Sequence, residues 1–134
     1  MRTAILDYLK ANKRSLTPLI VSDNLPWEDN GARISHHNKK HLYVDLDQVQ
    51  QAAAFDTLNY KGGIDETTIV RVYFVTDAKQ TISNFESIVQ VIKDARLTAD
   101  ITGVIQRTCQ VSNQFNGDTI ETQFEFSFRK LITN

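Results

Sequence analysis

FNGDTIETQFEFSFRK, residues 115–130, alternates apolar and polar side chains almost without a break behind a tight-turn signal. Such alternation is the pattern of a strand with one buried face, because successive side chains point to opposite sides of a sheet. Ile120, Phe124, Phe126 and Phe128 fall on one face; Glu121, Gln123, Glu125, Ser127 and Arg129 fall on the other. Asn116-Gly117 offers the left-handed backbone that a two-residue hairpin turn needs. Ahead of it, Ile105, Cys109, Val111 and Phe115 point one way, and Gln106, Thr108, Gln110, Ser112 and Gln114 the other. The last third therefore reads as a hairpin whose Phe face needs an apolar cover. Its polar face meets either water, as one side of an antiparallel sheet commonly does, or another subunit.

The cover is supplied just upstream. In SNFESIVQVIKDARLTA, Phe85, Ile88, Val89, Ile92 and Ala95 recur at three and four, which makes one apolar stripe on a helix of four or five turns. Ser83 and Glu86 have the spacing of a capping box at its start. Before the helix, TTIVRVYFVT (67–76) is rich in β-branched and aromatic residues on both faces, as expected of a central strand.

Further out the signals weaken. Ile5, Leu6, Tyr8 and Leu9 gather on one side of a short helix over residues 2–12. SLTPLIV is extended and apolar, and Pro18 confines it to a sheet edge or a loop entrance. Residues 22–40, SDNLPWEDNGARISHHNKK, have the composition of a long exposed loop. HLYVDLD follows as a half-buried strand with Leu42, Val44 and Leu46 alternating against Tyr43, Asp45 and Asp47. AAAFDTL reads as a weaker strand, and Gly62-Gly63 in NYKGGIDE as a turn. The expected fold class is α+β: a mostly antiparallel sheet of four to five strands with two helices packed on it, in one domain over 1–134.

At 134 residues the chain can bury about 68% of its unfolded surface, so its core requires no disulfide or metal. A formal charge of −1 argues against a dedicated nucleic-acid binder, whose phosphate contacts need clustered Lys and Arg. No apolar run approaches the ~20 residues of a membrane span. Asp7 and Lys10 interrupt any signal-peptide core. Cys109 alone allows no intramolecular disulfide, and a reducing cytoplasm fits.

Several constellations could carry chemistry. His36, His37 and His41 could be metal ligands, although the sequence places no two of them on one helix face. Asp45 and Asp47 share a strand face as paired acid/base carboxylates do, and equally as solvent-facing residues do. Cys109 falls in the apolar phase of its strand, as a packed core thiol does. There is no nucleophile-elbow or phosphate-loop pattern. Trp27, in the long loop, is either an anchor for a partner or a cap on the core. Lys10, Lys13 and Arg14 make a small basic patch where cations favourably meet a helix C-terminus.

In element order and length, on HLYVDLD, VRVYFVTDAK and the closing ETQFEFSFRKL, the chain resembles the tail-terminator (tail-completion) proteins of long-tailed bacteriophages, the lambda-type group. It departs from them in having more loop before the first clear strand. The resemblance implies a virion protein at the head-proximal end of the tail, assembled in the host cytoplasm. Its subunits form a homohexameric ring on the tail tube, stop tube polymerisation and offer the surface for joining the head. The implied partners are other copies of itself, the tail tube protein and a head-completion or neck protein. DNA passes through the ring without sequence-specific binding, and no membrane, cofactor, metal or catalysis is involved. Trp27, Arg33, His36, Lys39, Lys61 and Asp65, on the 22–40 loop and the 59–66 turn, are the expected partner-interface residues. Alternatives are another neck or head-completion protein, and a small metal-dependent enzyme using His36, His37, His41 and Asp45.

Overall fold

The structure, a computed structural model, describes residues 1–26, 28, 39–53, 56–57, 60–61, 63–78, 82–97 and 104–132. It is an α+β arrangement around a six-stranded sheet. Helix α1 (Arg2–Ala11) and the short α2 (Lys13–Leu16) lead into β1 (Ile20–Val21), β2 (His41–Val44), β3 (Gln48–Ala53), the small pair β4 (Asp56–Thr57) and β5 (Tyr60–Lys61), and the long β6 (Ile64–Asp77). Helix α3 (Phe85–Lys93) with a 3-10 turn (Asp94–Leu97) precedes β7 (Val104–Asn116) and β8 (Thr119–Ile132).

The sheet runs β1-β2-β6-β8-β7, and β3 also pairs with β6, below β2 on the same side. Among the described strands of this sheet only β1 and β2 pair in parallel; the other pairs are antiparallel. As its composition predicts, β6 is central, held by β2 and β3 on one side and by β8 on the other over its whole length. The SLTPLIV segment contributes β1 at an edge, where a nearby proline costs no ladder bond.

One face carries the core. Val70, Val72 and Phe74 of β6 and Phe124, Phe126 and Phe128 of β8 meet Ile5, Leu6 and Leu9 of α1, and Ile88 and Ile92 of α3 with Ala95 just beyond it. The Tyr8 hydroxyl donates to the Val91 carbonyl at 2.8 Å and ties the two helices together. The predicted stripe and Phe face thus pack as expected, with α1 sharing the work.

Local details differ from the sequence reading. The α-helical part of α3 has 9 residues, shorter than four or five turns, because the chain tightens into the 3-10 turn at Asp94. The Ser83/Glu86 capping box is not formed: Asn84 occupies the N-cap position, and its side chain donates to the Thr17 carbonyl at 3.2 Å. β2 stops at Val44, with Leu42, Tyr43 and Val44 all buried, while Leu46 is 55% exposed. The chain leaves the ladder there because Asp47 reaches α1, accepting from the Arg2 amide at 2.8 Å and the Met1 nitrogen at 3.0 Å. A carboxylate at a helix start satisfies orphan N–H groups and meets the positive end of the dipole. β3 begins at Gln48 rather than Ala52. A bulge between Val104 and Gln106 leaves Ile105 57% exposed and turns Val104 to the core in its place. The hairpin closes one residue later than read, with Asn116 opposite Thr119 and the positive φ of 59° at Gly117.

Candidate assembly surfaces

The sheet has two lateral edges, β7 on one side and β1 with β3 on the other, and among the described residues β7 and β3 carry none of the usual guards of charge or proline at the edge. On one side β7 is the last strand, 13 residues long, and among the described residues no strand pairs along its outer edge. Monomeric proteins blunt such edges with lysine, proline or short length, since a row of unsatisfied N–H and C=O groups templates further pairing. β7 has neither Lys nor Pro. Its one charged residue, Arg107, folds back: Nη1 donates to the carbonyls of Arg96 and Leu97 at 3.3 and 3.4 Å. Gln106, Thr108, Gln110, Ser112 and Gln114 stand exposed along one side.

At the other side of the sheet β3 is uncharged and proline-free throughout, QVQQAA. Residues 48–52 are all exposed, and Val49 is 54% exposed.

A third feature lies beside the hairpin tip. Phe85, Ile82, Ile120, Thr76, Asn113 and Phe115 line a mainly apolar pocket of about 330 Å³. Thr122 Oγ1 donates to Asn113 Oδ1 at 2.9 Å and fixes one wall. Phe115, read from the sequence as inward-facing, is 72% exposed at the rim, because it lies beyond the helical stripe. A large exposed aromatic beside a concave apolar surface is the kind of anchor that interfaces use.

The residues expected at the interface do not converge among the described parts. Trp27, Arg33 and His36, with His37, lie outside the described residues. Lys61 is in β5. Lys39 and Asp65 sit near opposite ends of β6, each in an intrachain pair. Lys39 Nζ meets Asp77 Oδ1 at 2.5 Å. Asp65 accepts from Arg129 Nε on both oxygens at 3.0 Å and from Nη2 at 2.7 Å. Those hydrogen bonds hold the Asp65 carboxyl below the usual carboxylate range despite some desolvation. Its neighbour Glu66 is lowered likewise, first by the Gln51 amide and then by Lys130.

Of the residues considered for chemistry, His41 is in β2, its ring 6.3 Å from that of Tyr43. Asp45 accepts from the Leu46 amide at 2.7 Å, and its own amide donates to the Arg71 carbonyl. Asp45 and Asp47 therefore lie in a connection and not on a common strand face. Among the described residues no group of three His, Cys, Asp or Glu side chains could hold a metal, and no helix is long and apolar enough to cross a membrane. Cys109 packs partly against the core, and burial pushes its thiol up to about 11, with Lys93 and Arg96 pulling weakly the other way. The sequence reading did not locate the two edges or the pocket. The absence of charge from 104–116 apart from Arg107 was the available signal.

No protein-family model matches the chain, and no curated protein does. A solved structure does: the chain is similar to one in the "Virion of native gene transfer agent (GTA) particle". The two share 14% identity with a TM-score of 0.59, over 98% of this chain and 94% of that one. The likeness is one of fold, and it runs over nearly the whole of both chains.

Proposed function

We propose that the protein is a structural component of a phage-like virion, and within it the terminator of the tail tube. The observation that carries this reading is the end-to-end fold likeness to a chain of a virion particle, two chains of nearly equal extent. The unguarded edges of β7 and β3 support it, since a subunit that spends its working life among neighbours needs no edge protection. In this reading the subunits close into a homohexameric ring by head-to-tail contacts. The ring caps the tail tube, halts its growth and presents the head-joining surface. The near-neutral charge suits a ring through which DNA slides, because a basic lining would retain phosphates. The function is one of binding, with no catalytic step. The 22–40 loop, with Trp27 and Arg33, and the 59–66 turn are assigned to contacts with neighbours or the tube.

The test is tube growth. Tail tube protein polymerising with this protein added is expected to give shorter tubes, each bearing extra density at one end. An unchanged length distribution with bare ends would overturn the terminator role. Density found only on the neck of head particles would transfer the protein to the head-completion class.

A further inference from the structure

We propose that β7 of one copy pairs antiparallel with β3 of the next copy, so that the sheets join head to tail. This rests on the ring reading above and names the contact that builds the ring.

Strand direction, height, facing and charge all agree with it. β6 and β8 are antiparallel, as are β8 and β7, so β7 runs with β6; β3 runs against β6. Rotation about a ring axis near the strand direction, with the strands tilted to it as in closed barrels, keeps their up-or-down sense, so β7 of one copy meets the neighbour's β3 in antiparallel sense. The ladder registers also fix height. Gln48 lies opposite Ile69, Ile69 opposite Ser127, and Ser127 opposite Thr108. Gln50 lies level in the same way with Thr67, Arg129 and Gln106. The β3 edge thus stands at the height of the lower end of β7, and the tilt of the strands to the axis supplies the stagger that slides it up β7 and carries β1, which flanks β2 on the same side, past the hairpin tip.

Facing follows from the same registers. Gln48 and Gln50 share the polar face of the sheet with Gln106, Thr108 and Gln110. Val49 shares the helix-bearing face with Arg107, which is level with it, and with Cys109 and Val111 above, both partly buried against the core. Pairing would extend that apolar row and cover Val49. Arg107 is the one charge at the contact, and its guanidinium is turned to the carbonyls of Arg96 and Leu97; such pairing covers the edge of β3 and the part of β7 that it reaches once the ring closes.

Single cysteines provide the test. Gln106→Cys, Thr108→Cys, Gln110→Cys and Ser112→Cys, each with Cys109→Ala, are mixed in turn with a mass-tagged Gln50→Cys/Cys109→Ala protein and oxidised. At least one β7 position should give the mixed disulfide in preference to either homodimer. In parallel, Gln110→Lys/Ser112→Lys places two cations on the exposed side of β7. It should melt like the wild type and weaken self-association about tenfold or more, because lysines on a strand edge oppose further pairing. Disulfides formed only between two β7 strands, or rings undiminished by the lysines, would overturn the β7–β3 contact and leave the ring itself standing. A mixed disulfide from a protein that neither forms rings nor caps tubes would keep the contact and remove the ring.

Discussion

The two strands of the C-terminal hairpin share a length, a pattern and a turn, yet they have opposite fates. In β8, Phe124, Phe126 and Phe128 are at most 1% exposed, between β6 and β7 and under two helices. In β7, Phe115 and Ile105 are largely exposed, and a whole side of the backbone ladder is open among the described residues. Charge is distributed against the usual rule. The interior strand β8 carries Glu121, Glu125, Arg129 and Lys130, while the edge strand has only Arg107, turned away. Alternation reports which face a side chain takes; it says nothing about how many neighbours a strand has. An edge with the composition of an interior strand is one that expects company.

The largest effect that sharpens this contrast is in the core. Phe124→Ala should cost about 3–5 kcal/mol of monomer stability by denaturant unfolding, through lost burial and the cavity left behind. Phe115→Ala should change the same measurement by no more than about 0.5 kcal/mol, since the ring buries little in the monomer. A comparable cost for both would break the distinction between the strands. Between these lies Asp47→Ala, which removes the acceptor at the start of α1 and should cost about 1 kcal/mol, as losses of helix N-caps do.

Smaller still is a pH effect. Because Arg129 holds the folded-state pKa of Asp65 below its unfolded value, the stabilisation is present above the ordinary carboxylate range, near pH 4, and fades as pH falls through the lowered value. Asp65→Asn should therefore flatten the acid side of a plot of melting temperature against pH and leave the curve above neutrality nearly unchanged. An acid limb as steep as that of the wild type would show that the Arg129 pairing does not couple to folding. Cys109 offers a kinetic readout: with its pKa near 11, the thiol should react slowly with an alkylating probe at pH 8 and speed up on unfolding.

Much of the fold was legible because its signals are local and periodic. The β-branched run 67–76, the three-and-four stripe of 85–95 and the Phe alternation of 120–128 each state a period and a face. Misreadings arose where a distant group decided the local structure. Asp47 leaves the β2 line because α1 starts beside it, and Asn84 turns to Thr17 instead of closing a capping box with its neighbours. The bulge beside Ile105 shifts the phase of β7 by one residue, which alternation alone does not foresee. The candidate site was the least legible part. An edge is defined by what lies next to it, and only the missing charges of 104–116 and 48–53 hinted at it.

The most direct measurement is negative-stain electron microscopy of the untagged protein over a range of concentration, with its mass in solution recorded on the same samples and again with tail tubes added. Annular particles with a central hole, or rings seated on tube ends, are the expected result. A protein that stays monomeric at every concentration and leaves the tubes bare would contradict the ring-forming role.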